Sequence, residues 1–346
     1  MLVSVVTPAY KAERHIEECL RSVHAQDHRP MEHVVVDDGS PDNQVQIVER
    51  LQKELQRKDY RVRLVRLAKN GGAARALQTG ITEAQGHVVS WLSADDLYVD
   101  ASKTSEQVQI LRRVHITYDD ACLVGSTPSS AVLQRNRWTR LPQPKPLREL
   151  SSTAIAVALL FRNAINATSL SVRRSVLEEQ VSFDPILGNV DADGDFLTRA
   201  ACLGLQFSAR KSAGAFYRVH AGQTSNSRSA MDLGKAVARI RLMEFLKDQG
   251  ALDELLLKER SVAAACILNG FFASPTAVRW MRSHLRGAAD PRLRSLGRLA
   301  GLALRVARSD HVEATELRRR LLVARGSPEF ARFERVAMSS GLLRAG

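Results

Sequence analysis

Only four cysteines occur in 346 residues (Cys19, Cys122, Cys202 and Cys266), and none stands in a CxxC spacing. That excludes a zinc ribbon and predicts reduced thiols in a cytoplasmic protein. Aromatic residues make up 5% of the chain. That is thin for a surface that stacks single-stranded bases, so nucleic acid is not an expected partner. Long apolar runs are missing too: the best, Ala154 to Phe161, is far short of the ~18–20 residues that cross a bilayer. No leader peptide is expected, because the opening MLVSVVTPAY reads as a strand and a turn. There is no repeat of fixed period and no low-complexity tract.

What is present is ordinary globular material, 45% hydrophobic and 25% charged, long enough for two domains or one large domain with an appendage. A core of usual size needs no disulfide or metal staple. The charge is unevenly spread. Lys and Arg total 50 against 37 Asp and Glu, a net +13. Residues 1–225 hold 28 basic and 25 acidic residues, a net +3, and residues 226–346 hold 22 and 12, a net +10. A basic tail suits nucleic acid, anionic lipid or an acidic partner, and equally a solvated, arginine-rich helical surface; the few aromatics count against the first.

Hydrophobic periodicity predicts alternating elements. Leu2–Thr7, His33–Val36, Val62–Leu67 and Val88–Leu92 read as buried strands. Glu13–Gln26, Gln44–Lys58 and Ala73–Ala84 read as the helices between them. A βαβαβαβ order demands a parallel sheet with right-handed crossovers and helices on both faces. Ligands of such sheets lie beyond the carboxyl ends of the strands. Thr7, Asp37, Asp38, Asn70, Asp95 and Asp96 all fall at those ends. Further on, Ala121–Gly125 reads as a strand, Pro128–Pro146 as a loop and Asp193–Leu203 as a helix. Gln206–Arg210 and Phe216–Val219 read as two late strands, and the chain from Ser229 is mostly helical.

Five segments carry a resemblance: SVVTPAYKAERHIEECLRSVHAQ, HVVVDDGSPDN, NGGAARALQTGITEAQGHVVSWLSADD, DADGDFLTRAA and FYRVHAGQTS. In this order and at these separations the chain resembles the inverting family 2 glycosyltransferases of GT-A fold, over about residues 1–225. The resemblance implies an α/β, Rossmann-like, mostly parallel sheet with helices on both faces. Residues 1–225 would form the catalytic domain and residues 226–346 a basic helical C-terminal region.

It also implies roles. Thr7, Pro8, Ala9 and Tyr10 would line a nucleotide pocket, with the Tyr10 ring against the base. Asp38 would accept from the base, since a carboxylate suits an imide N–H such as that of uracil; Asp37 would tie down its turn. Asn70-Gly71-Gly72 lets backbone approach a ligand, as it would in a plain strand-to-helix turn. Arg75 could grip a phosphate bidentately. Asp95 and Asp96 would hold Mg²⁺ or Mn²⁺ and with it the diphosphate; the same pair also makes an N-cap. The family's acidic residue two positions before Asp95 is Ser93 here. His220 would join the metal or the diphosphate. Asp193 would be the catalytic base, ahead of Asp191 and then Asp195, and Ala192 replaces the family's preceding Glu. Mutual repulsion among the three acids would raise the pKa of one.

The function expected is metal-dependent, inverting transfer of a sugar from a nucleotide-sugar, a UDP-sugar first, to a hydroxyl of a glycan, lipid-linked or small-molecule acceptor. Such a reaction belongs to glycan or glycoconjugate biosynthesis. The alternative is a non-catalytic nucleotide-sugar-binding or scaffold protein of the same fold, for which Ser93 and Ala192 argue. Tail stripes such as Leu252, Leu255 and Leu256, and Leu296, Leu299 and Leu302, would dock on the catalytic domain or pair in a homodimer. The outer arginines would offer peripheral contact with the inner membrane face.

Overall fold

β-branched residues set the first half of the chain. Val3, Val5 and Val35 point to one side of a sheet and Val6 and Val36 to the other, as period-two side chains must. A computed structural model describes residues 1–135, 151–163, 165–222, 228–268, 274–306 and 314–340. The chain divides into two compact units, Met1–Asn136 with Ile165–Asn189 and Gln206–Gln223, and Arg137–Ala164 with Val190–Leu205 and Thr224–Gly346.

The first unit alternates β1 (Val3–Ala9), α1 (Ile16–His24), β2 (Met31–Asp37), α2 (Gln44–Leu55), β3 (Tyr60–Arg66), α3 (Ala73–Glu83) and β4 (Val88–Trp91). It continues with β5 (Leu97–Tyr98), α4 (Lys103–Leu111), β6 (Ile116–Gly125), β7 (Val132–Arg135), β8 (Ser171–Arg173) and β9 (Phe207–Arg218). The sheet order is β3-β2-β1-β4-β8-β6-β9-β5, with β7 paired to β6. β1, β2, β3 and β4 run parallel, so Ala9, Asp37, Arg66 and Trp91 end at one edge. β8 turns antiparallel against β4 and β6, and β9 runs parallel to β6. Apolar residues of α1 and α2 (Ile16, Leu20, Val23, Val48, Leu51) pack with Val3, Val5 and Val35. α3 lies on the opposite face, where Gly80 leaves no room for a Cβ against Val6 and Val36.

Two readings change here. Gln206–Arg210 and Phe216–Val219 fall in one strand, β9, because two register shifts against β6, between Asp119 and Leu123, absorb the extra residues between them without ending the strand. The predicted loop Pro128–Pro146 contains β7, and its part from residue 136 lies outside the described residues.

The second unit is helical: α5 (Ser152–Phe161), α6 (Ala192–Cys202), α7 (Arg228–Asp248), α8 (Ala251–Lys258), α9 (Arg260–Leu268), α10 (Pro275–Arg286), α11 (Pro291–Val306), α12 (Ala314–Arg325) and α13 (Pro328–Ser339). α5 is the apolar run Ala154–Phe161, buried all round, and such a helix needs partners on every side. It packs on α6 and α9. α7 is buried at every position from Ala236 to Met243 and contacts α6, α8, α10 and α12. Phe330 and Phe333 of α13 close edge-on against Phe245 of α7.

The boundary read from sequence at 225/226 therefore differs from the structural one. Residues 152–161 and 192–202 group with the tail, because their apolar faces are buried among its helices. Of the predicted stripes, Leu252, Leu256 and Leu296 are buried, whereas Leu302 is 58% exposed. Six positions beyond Leu296 a helix has turned well off that stripe. Among the described residues, no helix is long and apolar enough to cross a membrane.

Candidate active site

In the first unit the carboxyl edge of the sheet gathers loops that the sequence separates. Asp37 accepts from Ser40 N at 3.1 Å and from Gln44 Nε2 at 2.6 Å, tying the turn after β2. Asp38 is buried, and each of its oxygens accepts a backbone N–H of the next loop, from Gly71 and Gly72, both at 2.8 Å. Its N–H in turn donates to Ala9 O at 2.9 Å. The Asp38 carboxylate thus fixes the Asn70-Gly71-Gly72 turn. It keeps lone pairs for one further donor.

Gly72 has φ +91°, and a Cβ there would stand 2.9 Å from Asn189 Oδ1. Asn189 Oδ1 accepts from Ala73 N at 2.6 Å, satisfying one of the free N–H groups at the start of α3. Gly72→Ala is expected to destabilise the protein by roughly 1–3 kcal/mol. Gly71→Ala displaces only the flexible Arg75 side chain and is expected to cost clearly less. Paired thermal melts check this, and equal losses would show that backbone conformation is not what Gly72 supplies.

Around β1, Tyr10 is 44% exposed, with Lys11 Nζ 5.4 Å from its ring centre. Asn70 and Arg75 are exposed as well, and Pro8 is half-buried. Thr7 and Ala9 are turned inward. The Thr7 hydroxyl is 2.8 Å from His33 Nε2, and the Ala9 carbonyl accepts from Asp38 N and Gln44 Nε2. Neither presents a side chain to a ligand.

The Asp95-Asp96 pair is split. Asp96 is fully buried, accepting from the Thr168 hydroxyl and from Arg218 N at 2.9 Å, and burial raises its pKa well above the usual 3.8. Both Asp96 oxygens thus have partners within the protein, which leaves Asp95 the more open of the two. Asp95 is half-buried, with Oδ2 2.9 Å from His220 Nε2. Arg218 Nε donates to Asp95 O at 2.8 Å and its Nη2 to Glu18 at 2.6 Å.

His15, one residue before α1, lies beside them with its ring 5.8 Å from that of His220. Burial, then Arg218 and His220, lower its pKa below 6.5, so it is neutral at pH 7. No ligand spacing in the sequence marks His15. Residues so far apart in the chain meet only through the sheet, and no local signal joins them. Among the described residues no three His, Cys, Asp or Glu side chains form a ready metal cage. Asp95 and His220 are two side chains that could ligate a cation such as Mg²⁺ or Mn²⁺, whose shell is ordinarily completed by phosphate oxygens and water.

In the second unit α6 opens with three acids in different states. Asp191 is buried and paired with Arg239, and Asp195 is buried between Arg199 and Arg241. Burial works against the Asp195 charge, but the two guanidiniums outweigh it and hold its pKa below 3.8. Asp193 alone of the three is half-buried, and its Oδ2 accepts from Asn163 Nδ2 at 2.7 Å. Its pKa is raised, by burial first, with Lys235 and Asn163 pulling the other way. Repulsion among the three acids, expected from sequence, is not the cause, since the other two are neutralised by arginine.

A parallel sheet with glycine turns and half-open acidic and imidazole groups at its carboxyl edge is the frame of a nucleotide-binding α/β domain. Residues 4–163 match the family described as Glycosyl transferase family 2. The chain is 29% identical over 223 residues to an uncharacterized glycosyltransferase of Nostoc, covering 64% of this chain and 65% of the relative. It is 36% identical over 110 residues to TuaG of Bacillus subtilis, a putative teichuronic acid biosynthesis glycosyltransferase, covering 32% and 42%. The chain thus spans less than two thirds of either relative's length.

Among solved structures, S. aureus TarS 1–349 in complex with UDP-GlcNAc superposes with a TM-score of 0.58 at 18% identity, over 98% of this chain and 91% of that one. The mannosyltransferase PcManGT of Pyrobaculum calidifontis, in complex with GDP-Man and Mn²⁺, gives 0.54 at 19% identity over 99% and 88%. The fold is GT-A.

Proposed function

We propose that this protein transfers a sugar from a nucleotide-sugar, a UDP-sugar first among candidates, to an acceptor hydroxyl with inversion at the anomeric carbon, in glycan or glycoconjugate biosynthesis. One observation carries the reading. Asp37, Asp96, Asp191 and Asp195 are buried and spent on structure, and Asp38 is buried with lone pairs to spare, while Asp95 and Asp193 are only half-buried. Two acids not committed to arginine are what the reaction asks for, one at the diphosphate and one at the acceptor.

Asp95 and His220 would hold a divalent cation, which supplies charge neutralisation to the departing nucleoside diphosphate. Tyr10 would lie against the base, Asp38 would spend its remaining lone pairs on it, and Arg75, Asn70 and the Gly72 turn would lie along the phosphates. Asp193 would take the proton of the attacking hydroxyl. Burial raises its pKa, which makes it a better base than an exposed carboxylate. UDP-GlcNAc and GDP-Man in the structural neighbours support a nucleotide-sugar donor and leave the base to experiment. The exposed arginines of α12, Arg318, Arg319, Arg320 and Arg325, flank exposed Leu322 and Val323. That surface supports peripheral contact with anionic lipid, which liposome flotation at low salt would test.

The deciding experiment is thermal stabilisation by UDP-, GDP- and dTDP-sugars with and without Mn²⁺, followed by nucleoside diphosphate release. A donor at ~100 times its Kd should add ~2.7 kcal/mol of stability. EDTA or Asp95→Ala should remove most of that gain. If no donor stabilises the protein, the reading fails. Binding that EDTA leaves untouched removes the cation from it. Binding without turnover would favour the non-catalytic alternative, for which Ala192 in place of an acid is the argument.

A further inference from the structure

The tail reaches into the candidate catalytic helix. Asp191 and Asp195 are four residues apart, so they share one face of α6, and Asp193, two residues from each, stands on the other. The shared face meets α7. Arg239 Nη1 donates to Asp191, and Arg241 Nη2 donates to Asp195 at 2.9 Å. Both arginines are buried and anchored again, Arg239 Nε to Leu159 O at 3.1 Å and Arg241 Nη1 to Ala324 O at 2.9 Å.

Two glycines record how close the helices come. A Cβ on Gly194 would lie 2.5 Å from Asp191 Oδ1 and 2.8 Å from Arg239 Nη2, and one on Gly234 would lie 2.5 Å from Val190 Cγ1. Asp191 itself has φ 60°, a left-handed conformation that costs free energy in a residue with a side chain. Such conformations persist where the surroundings over-determine them. The Asp191 carboxylate makes no cap bond to α6; its backbone carbonyl accepts from Asp195 N at 2.8 Å, and its side chain is held by the ion pair with Arg239.

We propose that Arg239, backed by Arg241, is a positioning residue for Asp193: the two ion pairs pin the first turn of α6 on either side of it and so aim its carboxylate. This rests on the assignment of Asp193 as the base. It makes the C-terminal region part of the catalytic apparatus, because the arginines lie beyond residue 225. A base displaced by ~1 Å can cost ~10²-fold in rate, and a helix start with a left-handed residue has room for such a shift once its clamp is gone.

The test is the double variant Asp191→Asn/Arg239→Met, which removes both charges and strands neither, beside Arg239→Lys and Asp193→Asn. Hydrogen exchange is expected to rise at residues 190–196, whichever donor the protein uses. With the best-stabilising nucleotide-sugar and water as acceptor, kcat for nucleoside diphosphate release should fall ~10–100-fold, with donor KM within twofold. In that reaction water attacks the anomeric carbon, the bond to the diphosphate breaks, and Asp193 takes the proton. Water admitted to the loosened turn should bring the raised Asp193 pKa back toward 3.8, moving the acid limb of the pH profile down. Lys235 on α7 and Asn163 after α5, which also face Asp193, are unchanged in the variant. Arg239→Lys should recover part of kcat. Unchanged exchange at 190–196, or an unchanged kcat and acid limb in the folded double variant while Asp193→Asn is dead, overturns the positioning role and leaves the base standing. An active Asp193→Asn removes the base and the positioning role together.

Discussion

Asp193→Asn is expected to lower transfer ~10²–10⁴-fold while donor binding survives. The amide keeps the size and shape of the side chain, and its oxygen can still accept from Asn163 Nδ2, which lies 2.7 Å from Asp193 Oδ2 in the parent. What it loses is the ability to take a proton from an attacking hydroxyl. The sign of the pH dependence follows from the same group. Burial raises the Asp193 pKa above 3.8, and the base works only when ionised, so kcat/KM of the parent should climb with pH through a limb displaced upward from an ordinary carboxylate. Asn163→Ala removes a hydrogen bond that favours the charged form, so it should push that limb higher still. The structure also sets the control. Asp191 and Asp195 are each committed to arginine, so Asp191→Asn should act through stability and geometry, with residual turnover. A dead Asp191→Asn beside an active Asp193→Asn would move the base by two residues.

The largest effect on stability is expected from Asp195→Ala. Its two oxygens serve Arg199 at 2.8 and 2.5 Å and Arg241 at 2.9 Å, all with fully buried side chains. Removing the carboxylate takes a buried counter-charge from two buried guanidiniums, and breaking buried pairs in this way costs ~3–5 kcal/mol. The guanidiniums of Arg199 and Arg241 also lie over the rings of Phe333 and Phe330, which offsets little of that loss. Because the folded pKa of Asp195 is depressed, its contribution is fully present above about 3.8 and fades as pH falls through the lowered value. Denaturant unfolding at neutral pH should therefore separate parent from variant widely, and the gap should narrow at low pH. A loss under ~1 kcal/mol at neutral pH would mean that the arginines find water or other acceptors.

Much of the first unit could be read directly. The alternation of Val-rich runs with helices, broken by Asp37-Asp38-Gly39 and Asn70-Gly71-Gly72, specifies β1 to β4 and the edge at which their loops collect, because strand and helix periodicities are local and the crossover rule is general. Tyr10, Asn70, Arg75, Asp95, His220 and Asp193 were named on motif spacing, and they stand exposed or half-open. What motif spacing could not do is tell an available carboxylate from a spent one. Asp95 and Asp96 are adjacent in the chain, yet Thr168 and the Arg218 backbone take only Asp96. Asp191, Asp193 and Asp195 look equivalent until α7 supplies arginines to two of them.

The unit boundary was illegible for a related reason. The run Ala154–Phe161 announces burial but not its partner, and only the packing of α5 and α6 among the tail helices assigns it to the second unit. Sequence alone determined the strands, the turns and the chemistry on offer, since each depends on residues a few positions apart. Tertiary structure decided which groups remain to do that chemistry. Desolvation and charge pairing act through space, and they join residues, such as Asp191 and Arg239 or His15 and His220, that no pattern in the chain connects.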